Sequence, residues 1–127
     1  MKVGALALAL AGGAAAACPL TPDDGRLIEG DALQVAWTVA GGGAIEVGQP
    51  FELEVRACPD TAELRAVDAT MPAHRHGMNY RPSIVALAPG RWRVQGLIWH
   101  MRGGWELALD LHRAGRTQTL RQAVDLQ

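Results

Sequence analysis

Phe51-Glu52-Leu53-Glu54-Val55-Arg56-Ala57 is the stretch that decides the fold. Apolar and charged residues alternate without a break, the period of a strand with one face on a core and the other in water. The same rhythm recurs on both sides. Upstream, Leu33, Val35, Trp37 and Val39 alternate with Gln34, Ala36 and Thr38, and Gly41-Gly42-Gly43 ends the run. Downstream, Leu64 to Met71 and Ser83 to Leu87 read as strands. Pro89-Gly90 makes a turn, after which Trp92, Val94, Gly96 and Ile98 fall on one face. Gly103-Gly104 interrupts the chain before Trp105, Leu107, Leu109 and Leu111, which alternate with Glu106, Ala108 and Asp110. Ala114-Gly115 turns into a last strand around Leu120 to Leu126. No segment keeps a helical period over three turns. About seven short strands punctuated by Gly and Pro predict an all-β fold, an immunoglobulin-like antiparallel β-sandwich. Trp37, Phe51, Leu53, Val55, Trp92, Val94, Leu107 and Leu109 are the expected inward set.

The chain has 127 residues, 12 Lys plus Arg against 13 Asp plus Glu, and a formal net charge of −1. That length suits one domain with a modest core. A hydrophobic content of 49% with 20% charged residues argues against disorder. The balanced charge, with no basic block, gives no electrostatic case for nucleic acid as the main partner.

Residues 1–17 resemble a secretory signal: Lys2, a short apolar run, then small residues before Cys18. The run is too short and too rich in Gly and Ala to span a bilayer, and no second long apolar stretch follows, so no transmembrane span is expected. The reading is a signal peptide over 1–17, an irregular Pro-, Asp- and Gly-rich arm over 18–32, and the sandwich domain over 33–127. Export places the mature protein in the periplasm. Cys18 at the cleavage junction has two uses: lipidation as a membrane anchor, or a disulfide with Cys58. An even cysteine count in an exported chain favours the disulfide.

If successive strands run antiparallel, the segments 72–82 and 99–104 emerge at one end, while Cys58 and His112 lie at the other. The first segment contains Met71-Pro72-Ala73-His74-Arg75-His76-Gly77-Met78-Asn79-Tyr80 around its start. The second is Trp99-His100-Met101-Arg102-Gly103-Gly104-Trp105. Three of the four histidines and all three non-initiator methionines lie in these two stretches. Thioether and imidazole together suit copper, with Met sulfur selecting soft Cu(I). Met71, His74, His76, Met78, His100 and Met101 are therefore the candidate metal ligands, with His74, His76 and Met78 as the centre of the set. His112 reads as a surface histidine. The competing reading makes the methionines packing residues and the loops a docking surface for an envelope partner, with Tyr80, Trp99 and the arginines as contacts. No Gly-x-Ser-x-Gly, His-Glu-x-x-His, P-loop or Cys-x-x-Cys is present, and Ser83 is the only serine. The chain reads as non-enzymatic.

Phe51 to Val55, Met71 to Met78, Gly90 to Met101 and Gly104 to Leu111 together resemble the YtkA-like family, small exported immunoglobulin-like domains distantly similar to FixH-type and CopC-type proteins. The resemblance spans about residues 33–126. It implies an exported β-sandwich associated with copper handling or oxidase maturation. The N-terminal histidine of CopC-type Cu(II) sites has no counterpart here, because the mature chain would begin at Cys18. The resemblance therefore points to a Met/His site for Cu(I).

Overall fold

In the computed structural model, which describes residues 18–127, the period-two stretches are strands and two further strands form beside them. The order is β1 (Arg26–Gly30), β2 (Leu33–Val39), β3 (Pro50–Cys58), β4 (Glu63–Met71), β5 (His76–Gly77), β6 (Ser83–Ala88), β7 (Arg91–Ile98), β8 (Gly103–Arg113) and β9 (Arg116–Leu126). They build two antiparallel sheets, β1-β2-β3-β7-β6 and β5-β4-β8-β9, packed as a sandwich. The signal-like leader at 1–17 lies outside the described residues.

Two expectations need correction. Residues 18–32 are not wholly irregular, since Arg26–Gly30 pairs with β2 through Leu27 opposite Ala36 and Ile28 opposite Val35. That segment has little alternation of its own. It becomes a strand because β2 supplies partners for its backbone and a place to bury Ile28. The second correction is in β7. Leu53 sits opposite Val94, but Phe51 sits opposite Leu97, so β7 spends one residue more than β3 between these pairs. Gly96, at φ +84°, takes up the extra residue. Past this bulge the faces exchange. Leu97 and Trp99 turn into the core, while Gly96 is exposed and Ile98 only half-buried.

The predicted inward set from Trp37 to Leu109 is buried throughout. The largest fully buried side chains are Trp37, Trp99 and Trp105, so indoles supply much of the core's apolar area. Trp37 keeps its polar edge satisfied by donating from Nε1 to Gln122 Oε1 at 2.6 Å. One side of the sandwich is closed where β1 meets β9. There the Asp31 N–H donates to Gln118 Oε1, and Gln118 Nε2 donates to the Asp31 carbonyl, each at 2.8 Å.

Cys18 and Cys58 form a disulfide, with Cα atoms 5.7 Å apart and a sequence separation of 40. It pins the segment before β1 to the end of β3, and Leu20 and Ala36 pack beside it. A loop of this length stabilises a domain by about 3–4 kcal/mol in the chain-entropy account. The bridge also occupies the sulfur that a thioether lipid on Cys18 would need. Disulfides of this kind belong to oxidising compartments.

Truncating Leu107, fully buried in β8, to Ala should cost about 2–5 kcal/mol in chemical denaturation. Across β3 and β7, Arg93 Nη2 donates to Glu54 Oε1 at 2.7 Å; its Nε lies 3.8 Å from Glu52, too far for a hydrogen bond. The Arg93 hydrogen bond is the largest influence on the Glu54 carboxyl and, with the nearby arginine charges, holds it below its ordinary value against a smaller opposing effect of burial. A carboxyl depressed on folding contributes stability above its unfolded pKa and loses it as pH falls through the folded one. Glu54→Gln should therefore flatten the acid limb of the stability–pH profile below about pH 4, measured as thermal midpoint against pH.

Candidate metal centre

Met71 ends β4 and stands opposite His76 of β5, so the chain doubles back on itself within four intervening residues. The His74 N–H donates to the Met71 carbonyl at 3.1 Å, and Arg75 takes a left-handed φ of +54° to complete the reversal. Directly opposed residues of an antiparallel pair project to the same side of the sheet. His76 thus lies over the margin of the core that Met71 fills from within.

The second loop is built on indoles. Trp99 follows β7 and Trp105 lies in β8; both are 1% exposed. They stack at 5.1 Å between ring centroids and 7° between planes, and Phe51 meets Trp99 edge-on at 5.2 Å. Trp105 Nε1 donates to the Met101 carbonyl at 3.0 Å, which closes the turn between the two indoles. Gly103, at φ +120°, passes so near Met71 that a Cβ there would meet its Cε at 3.2 Å.

With Trp99 directed inward, its neighbour His100 is exposed. The His100 ring stands edge-on to Trp105 at 5.6 Å and 6.2 Å from His76, which is itself 6.2 Å from His74. A continuous run of rings therefore leads from Phe51 in the core, through Trp99 and Trp105, to three imidazoles at the surface. Among the described residues, none of these three imidazoles makes a side-chain hydrogen bond or ion pair. By contrast, His112 at the opposite end lies 3.1 Å from Thr117 Oγ1 through Nδ1.

The two loops bring together three of the six candidate ligands as a surface group: His74, His76 and His100. Met71 is 0% exposed and belongs to the core. Met78 and Met101 are half-buried against its edge. Met78 also lines a groove between β4 and β6 with Tyr80 and Arg81. Among the described residues, no three of His, Cys, Asp and Glu converge on one point as they stand. A metal–nitrogen bond of about 2.0 Å to each ring places two imidazole centroids roughly 6 Å apart in the widest, linear arrangement. The 6.2 Å spacings are at that limit, so pairwise ligation requires the rings to close and turn until their nitrogens face one point.

Trp99, expected as a surface contact for docking, is instead buried under the histidines, because the Gly96 bulge reversed the faces of β7. Its Nε1 is buried without a hydrogen-bond partner. The role of Trp105 as the wall behind His100 could not be read from period-two alternation, which assigns it simply to the core. Compared with known protein families, curated proteins and solved structures, the chain matches none.

The close approach of the second loop to Met71 has a measurable consequence. Gly103→Ala meets both a left-handed backbone and the Met71 methyl, and should cost about 1 kcal/mol or more. Gly104→Ala, with nothing within 4 Å of the added methyl, should stay within about 0.5 kcal/mol of the parent. Urea titrations followed by indole fluorescence compare the two.

Proposed function

We propose that this chain is an exported, non-catalytic β-sandwich protein that binds Cu(I) at the end of the sandwich where the β4–β5 and β7–β8 loops meet, in copper handling or oxidase maturation. The observation that carries this reading is the sequence of three exposed imidazoles, His74, His76 and His100, spaced 6.2 Å from ring to ring and, among the described residues, hydrogen-bonded or ion-paired to no other side chain. A histidine kept for structure is hydrogen-bonded, as His112 is. Imidazole and thioether together are the donor set that suits soft Cu(I), and Met78 and Met101 lie half-buried in the same two loops.

Each group has a part. His76, in the middle of the row, is the shared ligand, paired with His100 or with His74. Met101 or Met78 supplies a thioether when its loop tightens. Met71 acts from below as packing. Trp105 keeps one side of His100 apolar, which disfavours water as a competing ligand there. The Cys18–Cys58 disulfide supports export to an oxidising compartment, with the periplasm as the proposed location.

The test is an anaerobic Cu(I) titration of the disulfide-intact protein against a competing chelator, with indole fluorescence as a second signal. His76→Ala with His100→Ala should weaken binding about tenfold or more, whereas His112→Ala and Met71→Leu should leave it unchanged. If the folded double variant holds Cu(I) as the parent does, the metal reading fails and the loops are better read as a docking surface.

A further inference from the structure

Acidic residues are segregated along this chain. None of its 13 Asp and Glu falls between positions 69 and 105, a stretch that contains Arg75, Arg81, Arg91, Arg93 and Arg102. The fold sorts these arginines further. Arg93 is taken by Glu54, and Arg91, half-buried at the start of β7 at the other end, lends its charge to the same carboxylate without an ion pair of its own among the described residues. Arg75, in the β4–β5 turn, Arg81, just before β6, and Arg102, in the β7–β8 turn, are all exposed at the end of the sandwich that carries the imidazoles. Among the described residues, none of the three makes an ion pair or a side-chain hydrogen bond.

Elsewhere the arginines are engaged. Arg56 pairs with Asp24, Arg65 with Glu63, Arg116 with Asp31 and Arg121 with Glu106. Arg113 donates to the Ala32 carbonyl, and Arg26 lies over the Trp37 ring at 4.9 Å. The acids nearest the free arginines do not answer them. Asp68 and Asp110 line the groove that Arg81 borders without reaching it. Glu46 and Asp125 reach the same end, Glu46 from the β2–β3 connection that Gly48 ties to the Trp99 carbonyl and Asp125 from β9 opposite Gly104, and among the described residues neither makes an ion pair with these arginines.

We infer that the β4–β7 side of this end docks on an acidic face of a partner protein, with Arg75, Arg81 and Arg102 as its charged contacts. A guanidinium presents a planar fork that matches a carboxylate, and such forks give orientation as well as attraction. Tyr80, 69% exposed beside Arg81, adds the amphipathic ring that interfaces favour next to arginine. A protein face fits better than an anionic lipid surface. Tyr80 is the only large exposed apolar side chain in these loops among the described residues, and a few arginines without an apolar anchor hold a bilayer weakly. The inference uses guanidiniums rather than imidazoles, so it stands or falls apart from the copper reading.

A fluorescein-labelled oligoglutamate serves as the probe, titrated with the disulfide-intact protein by anisotropy in the presence of a metal chelator. Saturable binding is expected, weakening about tenfold as ionic strength rises from about 0.01 to about 0.1 M and the Debye length contracts. Arg75→Gln with Arg81→Gln and Arg102→Gln should weaken it about tenfold or more, while the charge-matched control Arg65→Gln, Arg113→Gln and Arg116→Gln stays within about twofold. Equal thermal midpoints establish that both triple variants are folded. Absence of binding at the low ionic strength, or equal losses in the two triple variants, overturns the inference. So does binding to phosphatidylglycerol vesicles without binding to the peptide, which would make the surface a membrane contact.

Discussion

Trp99 stacked flat on Trp105 joins the residue that follows β7 in one sheet to the first buried residue of β8 in the other, and the imidazole-bearing end is organised around that contact. The stack sets the path of the β7–β8 loop. Once both indoles are inside, the residue between β7's end and the turn has only the solvent side to occupy, and that residue is His100. The Met101 carbonyl is drawn back onto Trp105 Nε1, and the loop then runs over Met71 at Gly103. Phe51, edge-on to Trp99, ties the arrangement to β3 in the centre of its sheet. His100 therefore rests against the buried indole pair through Trp105, and His76 and His74 follow it outward ring by ring.

The two ends of the sandwich are chemically unlike. At one, the disulfide and the Asp31–Gln118 and Arg116–Asp31 contacts satisfy charges and backbone groups internally. At the other, three imidazoles and three guanidiniums make no ion pair or side-chain hydrogen bond among the described residues. Polar groups that fold stability does not use are available for ligands, and loops carried on a rigid sandwich are where such groups are held in position. The imidazoles suit a soft metal, and the guanidiniums suit carboxylates on a larger surface. The two sets lie close together, with Arg75 between His74 and His76 in one turn, so the proposed copper site and the proposed docking face would share one end.

The bulge at Gly96 explains why the second loop was harder to read than the first. Alternation along Trp92, Val94, Gly96 and Ile98 is as regular as in any strand of the chain, and it leads to Trp99 on the outside. Glycine is the only mark of the interruption, and glycine occurs in many strands without a bulge. Whether it adopts φ +84° depends on β3, whose Phe51 and Leu53 must meet Leu97 and Val94 across the sheet. The same holds for β1. Arg26–Gly30 has no strand pattern of its own and acquires one from the open edge of β2.

The sequence by itself determined the sandwich, the inward faces of β3 and β8 and the convergence of two loops rich in His and Met at one end, and it favoured a disulfide over lipidation of Cys18. These follow from period-two alternation, from Gly and Pro punctuation and from counting strand directions, all of which are local or additive along the chain. Tertiary structure alone decided which members of the ligand-rich loops reach the surface. Met71 and Trp99 sit inside while His74, His76 and His100 group outside, because burial at these positions is set by a bulge in one sheet and by an indole stack between the two. Both depend on residues far apart in the chain, and no window of the sequence short enough to show a period contains both partners.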